Sequence, residues 1–300
     1  MSDDPALHSV VALAATIPED AFTAATLGTR REGSGVVIRD GLVLTIGYLV
    51  TEAEEVWLTT PDGRAVPAHV LGFDQETGFG LVQALRPLAL PALPLGRSAA
   101  VRVGDAVSLA DGMGEAIEAR VVARQEFAGY WEYLLEEAIF TAPAHPFWGG
   151  APLIGADGAL LGIGSLRLEM RGDDDTLDIN MVVPIDLLPP ILDDLATRGR
   201  VAKPPRPWLG TYAAESDGRV VVMQVAERGP AAAAGLKRGD IIAEIGGDEV
   251  ESLADLYRKV WRSGPAGTEI ALRVVRDGRD SWRRVKSADR YDFLRRARLQ

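Results

Sequence analysis

Few side chains in this 300-residue chain are suited to bond-making chemistry, and their spacing narrows the set further. There are no cysteines and only three histidines, His8, His69 and His145. The first count excludes a disulfide framework, a thiolate nucleophile and any zinc site built on sulfur. None of the histidines has a second ligating residue three or four places on, so they read as ordinary surface histidines, and no metal or other cofactor is expected. The acidic run Asp173 to Asp175, after Gly172, lacks the spacing of a calcium loop and reads as a solvated turn. Ser34 opens one apolar run and Ser165 lies within another, with no base close in sequence. The acid–base pairing worth following is His145, in "HPFWGGAPLIG", with Asp111 of the loop "ADGMGEA".

The elements that must position these residues are mostly strands. From Gly33 to about Ile185 the chain reads as short β-branched runs broken by Asp40-Gly41, Asp62-Gly63 and Asp157-Gly158. Asp-Gly between alternating apolar residues predicts a hairpin, because glycine supplies the positive φ that tight turns need. Many hairpins at this spacing predict an all-β barrel or sandwich. A helix is predicted near Pro189 to Arg198, with Gly199 as its stop, and the three prolines of "GRVAKPPRP" then forbid regular structure. From Trp208 the texture becomes α+β: strand-like "RVVVMQV", a short alanine helix ended by Gly235, the strand "IIAEIGG", the helix "SLADLYRKV" and a final hairpin. The expected division is residues 1–200, a proline-rich linker over 201–207, a second domain over 208–288 and a basic tail over 289–300.

Composition agrees with two cores: the chain is 47% hydrophobic and 25% charged. Its formal charge of −11 argues against nucleic acid as a partner, since phosphate contacts need a basic face. The tail, with Arg283, Arg284, Lys286, Arg290, Arg295, Arg296 and Arg298, is the basic exception and reads as a solvated segment or one that folds back on the acidic body. The first residues, "MSDDPALHSVVALAATIPED", carry aspartates where an export signal needs positive charge, and their apolar run is too short to span a membrane. A cytoplasmic location is expected, or a periplasmic one if a signal has been removed.

The stretches "GSGVVIRDGLVLTIGYLV", "DGRAVPAHVLGFDQETGFGLVQAL", "GGAPLIGADGALLGI" and "NMVVPIDLLPPILDDLATRGRV" resemble, in order and spacing, the HtrA-type trypsin-like serine proteases. The segment "RPWLGTYAAESDGRVVVMQVAERGPAAAAGLKRGDIIAEIGGDEV" resembles the PDZ domain that follows the protease in that family. The resemblance implies a mainly β molecule, a trypsin-like pair of six-stranded β-barrels followed by an α+β PDZ domain. Carried over residue by residue, it places Tyr48 at the position of the catalytic histidine, Gly78 at that of the aspartate and Gly149 at that of the serine. Acyl transfer of this type needs a hydroxyl to attack, an imidazole to take its proton and a carboxylate to orient the imidazole. Glycine supplies no nucleophile, and a phenol titrating near pH 10 is a poor base at neutral pH. Phe147 replaces the glycine whose backbone helps hold the oxyanion, and it and Trp148 are expected to fill the cleft. A catalytically inactive relative is therefore expected; the alternative is an active HtrA-type serine endopeptidase in protein quality control.

The PDZ-like segment keeps the parts such a module uses. An extended peptide adds a strand to a sheet edge, and its terminal carboxylate sits among backbone N–H groups of a short glycine loop. Trp208, Leu209, Gly210 and Thr211 match that loop, with Thr211 in place of the usual aliphatic residue. On the helix "SLADLYRKV", Leu253, Leu256 and Val260 share a face, and Leu256 is the residue expected to line the groove. Expected partners are C-terminal peptides or unfolded segments, with a homo-trimer or assembly with an active homologue implied by the resemblance, and no nucleic acid or membrane span.

Overall fold

The computed structural model describes residues 5–171 and 176–295, so Asp173–Asp175, Arg296 and Arg298 lie outside the described residues. The chain divides into two compact units. Of the described residues, one holds those up to Gln125, those of Glu136–Ala202 and Arg295; the other holds Glu126–Leu135 and Lys203–Leu294.

The first unit is built on two closed six-stranded barrels, as the resemblance implies. Strands β1 (Val10–Thr16), β2 (Arg30–Arg39), β3 (Leu42–Ile46), β4 (Glu55–Thr59), β5 (Ala65–Phe73) and β6 (Phe79–Ala84) close in the order β1-β2-β3-β6-β5-β4. Strands β7 (Ala106–Ala110), β8 (Ala116–Gly129), β9 (Tyr133–Ala142), β10 (Pro152–Gly155), β11 (Leu160–Arg171) and β12 (Thr176–Pro184) close as β10-β11-β12-β9-β8-β7. The predicted Asp-Gly turns join β2 to β3, β4 to β5 and β10 to β11. Buried residues on the strands of the first barrel include Val36, Val43, Leu44, Leu58 and Leu81, all without exposure, and Leu109, Val121, Ile139 and Leu153 fill the second. Each such side chain contributes roughly 1.5–3 kcal/mol on burial.

Among the described residues this unit has three α-helices: α1 (Ala24–Leu27), α2 (Gly47–Val50) and α3 (Leu192–Arg198). The last is shorter than the predicted Pro189–Arg198. Pro189 and Pro190 fall in a turn, after which the Ile191 and Leu192 N–H groups both donate to the Leu188 carbonyl, and Gly199 ends the helix in the left-handed conformation. At the other end of the chain, the Arg295 N–H donates to Glu52 Oε1 at 2.8 Å and its guanidinium meets Asp20 at 2.6 Å. The described part of the basic tail folds back onto acidic residues.

The second unit contains β13 (Thr211–Ser216), β14 (Arg219–Val225), α4 (Pro230–Ala233), β15 (Ile241–Ile245), β16 (Asp248–Glu249), α5 (Leu253–Arg262), β17 (Glu269–Arg276) and β18 (Arg279–Lys286). Its sheet runs β13-β14-β15-β17-β18, so β13 is an edge strand. Helix α5 is capped by Ser252, whose hydroxyl accepts the Asp255 N–H at 3.1 Å. Two differences from the sequence reading concern its boundaries. Residues 289–294 pack here, with the Phe293 ring 4.9 Å from that of Trp208 and the Trp208 and Ala288 main chains exchanging two hydrogen bonds of 3.0 Å. Residues 126–135, the tip of the β8–β9 hairpin, also belong to this unit, because Leu134 is buried in the same core as Leu209, Leu253 and Leu256.

Candidate functional site

Tyr48 sits in α2, directly after β3. The α2 backbone crosses β6 so closely that the Gly47 N–H donates to the Gly78 carbonyl at 2.6 Å, and a Cβ on Gly80 would lie 3.0 Å from the Gly47 Cα. This approach fixes the phenol, whose hydroxyl donates to the Ser165 carbonyl at 2.9 Å. Ser165 is the residue at which the β11–β12 register shifts, so its carbonyl is out of the ladder and in need of a donor. Burial holds the Tyr48 hydroxyl well above the ordinary phenol range, with a hydrogen bond involving Trp148 acting the other way. A Cβ added at Gly149 would stand 2.9 Å from the Tyr48 hydroxyl. The structure thus brings Tyr48 and Gly149 face to face, while Gly78 meets the α2 start through its backbone.

The loop before Gly149 departs from the sequence reading. His145 is not a surface residue: it is 1% exposed, and its N–H donates to Asn180 Oδ1 at 2.6 Å. Its Nδ1 accepts the Phe147 N–H at 3.0 Å, which puts the proton of the neutral imidazole on Nε2. Nε2 faces Asp111 Oδ2 at 3.9 Å, beyond hydrogen-bond reach, with the Glu115 backbone also acting on the imidazole. Burial pushes the His145 pKa down, against the opposing pull of Asp111. His145 and Asp111 are therefore neighbours in the interior, with no hydrogen bond between their side chains. The Phe147 N–H, which the resemblance puts at the oxyanion glycine, is turned onto His145, and the Phe147 ring points outward, 64% exposed, instead of filling the cleft.

The remaining cleft has a volume of about 690 Å³ and is lined by Glu32, Ser34, Tyr48, Met113, Phe147 and Trp148 among others. Ser34 is buried; its hydroxyl accepts the Gly112 N–H at 3.0 Å and its N–H donates to the Gly149 carbonyl. No hydrogen bond joins the Ser34 or Ser165 hydroxyl to an imidazole among the described residues. Behind the cleft, buried Arg31 donates to the carbonyls of Tyr48 and Thr51 and to Thr23 Oγ1, its pKa lowered to about 10 by burial despite Glu52. Sequence reasoning missed this support, which had no local signal. No group of metal-ligating side chains occurs among the described residues.

In the second unit, Gly210 takes a φ of +79°, and the loop it shapes aims the Leu209 and Thr211 N–H groups at one carboxylate. That carboxylate is Glu132. It accepts from Leu209 N at 3.0 Å, from Thr211 N at 2.7 Å and from the Thr211 hydroxyl at 3.1 Å. Burial pushes the Glu132 carboxyl up, offset in part by those donors and by the charge of Arg290. Arg290 in turn donates to the Trp131 carbonyl at 3.2 Å and lies over the Trp208 ring. Leu256, expected to line the groove, has no exposure and lies in the core, because it sits on the inner face of α5. Its neighbour Tyr257 reaches the hairpin tip instead, donating to the Gly129 carbonyl at 2.7 Å and accepting the Glu132 N–H at 3.2 Å.

Residues 33–163 match the trypsin-like peptidase domain family and residues 207–286 match the PDZ domain family. The chain is 29% identical to the periplasmic serine endoprotease DegP of Salmonella typhimurium over 82% of its length and 54% of the relative's. It is 24% identical to the serine protease Do-like HtrA of Bacillus subtilis, over 85% of the chain and 63% of that protein. The chain thus spans between half and two thirds of the length of these relatives. Among solved structures, an HtrA-type protease AlgW with a tripeptide superposes with a TM-score of 0.55 at 23% identity, covering 96% of this chain and 97% of the other. The serine endoprotease from Yersinia pestis superposes with the same TM-score of 0.55 at 22% identity, covering 96% and 98%. The chain therefore carries a match to a trypsin-like peptidase domain followed by a match to a PDZ domain.

Proposed function

We propose that this protein is a catalytically inactive HtrA-like adaptor: its barrels act as a scaffold, and its PDZ domain holds C-terminal peptides or exposed segments of unfolded chains. One observation carries the reading. Glycine occupies position 149, and the Tyr48 hydroxyl lies 2.9 Å from where a side chain there would begin. The hydroxyl nucleophile and the imidazole base that acyl transfer needs are thus both replaced, and the phenol, held above its ordinary range by burial, accepts no proton at neutral pH. The Phe147 N–H bond to His145 supports the same reading, since the oxyanion loses a donor.

A second reading, an active serine endopeptidase in protein quality control, is favoured by the descriptions of the relatives, which are serine endoproteases. It would need Ser34 or Ser165 as nucleophile. Casein digestion separates the two. The purified protein is expected to release no fragments above a buffer control; hydrolysis lost on Ser34→Ala or Ser165→Ala would establish the second reading.

A further inference from the structure

We infer that the PDZ groove carries a built-in ligand, the hairpin tip Gly129–Tyr133, with the Glu132 carboxylate standing in for the terminal carboxylate of a bound peptide. The inference rests on the proposed reading of residues 208–211 as a peptide-carboxylate nest. Each part that such a groove offers is engaged by this tip. The nest donates to Glu132 through Leu209 N and Thr211 N at 3.0 and 2.7 Å. The edge strand β13 donates from Ala213 N to the Tyr130 carbonyl at 2.9 Å, the kind of bond an added strand makes. Helix α5 holds the tip through the Tyr257 hydroxyl, and Arg258 pairs with Glu126 at its base. Leu134, 6% exposed, buries its side chain in the core beside α5.

Two features mark the contact as built rather than incidental. Glu132 adopts a φ of +59°, a left-handed conformation unusual for a glutamate, and this turn sits where the carboxylate meets the nest. Arg290, from the segment after the PDZ sheet, fixes the neighbouring Trp131 carbonyl and offsets the Glu132 charge. A tethered ligand also competes at a high effective concentration, so a free peptide binds only to the fraction of molecules whose tip is released. The groove is therefore self-occupied, and its partners are chains with a free carboxylate that displace Glu132.

The test uses the full chain as wild type, Glu132→Ala and Glu132→Gln, the last preserving shape and an acceptor oxygen should the alanine variant fold poorly. Hydrogen exchange of the Leu209 and Thr211 amides, followed by NMR, reads occupancy without any peptide. Exchange at least about tenfold faster in Glu132→Ala, and intermediate in Glu132→Gln, is expected; unchanged exchange in both variants overturns the inference. A phage library of random heptapeptides displayed with free C-termini is then selected on Glu132→Ala, and the enriched peptide is titrated against all three proteins. Binding at least about tenfold tighter to Glu132→Ala than to wild type is expected, and equal affinities overturn the self-occupied groove. If no peptide is enriched while the amide exchange responds, the hairpin contact stands and the peptide-adaptor reading fails.

Discussion

At the scale of single residues, Tyr48 and Gly149 define what the cleft can do. Gly149→Ser would place its Cβ 2.9 Å from the Tyr48 hydroxyl, so the variant is expected to lose about 1–3 kcal/mol of stability in urea denaturation and to gain no hydrolysis. Tyr48→Phe leaves the Ser165 carbonyl without its donor at the register shift and should cost about 1 kcal/mol by the same measurement. His145 gives the pH dependence. Its pKa in the folded chain is lowered by burial below the ordinary value of about 6.5, so the unfolded chain binds the proton more readily. The stability it contributes is complete above that ordinary value and is lost as pH falls through it towards the folded value. Urea midpoints at pH 8 and pH 5 should therefore diverge more for wild type than for His145→Gln. Positions 48, 78 and 149 could be singled out in the sequence because they lie within recognisable strand-and-turn motifs, and their correspondence to a catalytic triad is what the resemblance implies. The burial of His145 could not be read there, since this loop residue is held by Asn180, 35 residues away on β12.

Among the elements, hairpins and caps were readable because their signals are local. The Asp-Gly turns and the Gly199 stop of α3 each act over a few residues; the Ser252 cap of α5, which the folded chain shows, is as local, and Ser252→Ala is expected to lower stability by about 1 kcal/mol in thermal or urea unfolding. Asp240 shows a less visible kind of support. It is fully buried before β15; burial alone would push its carboxyl up, but two bonds from Arg276 and the Lys237 N–H hold it below the ordinary carboxylate range. Asp240→Ala should destabilise the second unit by about 2 kcal/mol or more, read as a lower urea midpoint. The β8–β9 tip is where local reasoning ran out. "GYWEY" has nothing in its own composition to tie it to a nest 77 residues further on, and only the folded chain shows Glu132 meeting Leu209.

For the whole molecule, the division of the chain was legible at the proline-rich segment but not in its membership, because the second unit recruits residues 126–135 and packs 289–294. No helix among the described residues is long and apolar enough to cross a membrane. A homo-trimer, implied by the resemblance, would appear in light scattering at three times the chain mass of 32.1 kDa, and a mass of 32.1 kDa would set that assembly aside. The central claim is that no side chain in the barrel cleft can attack a carbonyl and pass on its proton. Intact-mass spectrometry of the native protein after exposure to a serine-directed fluorophosphonate tests it most directly. An unchanged mass is expected; a stoichiometric adduct mapped to Ser34 or Ser165 would contradict it.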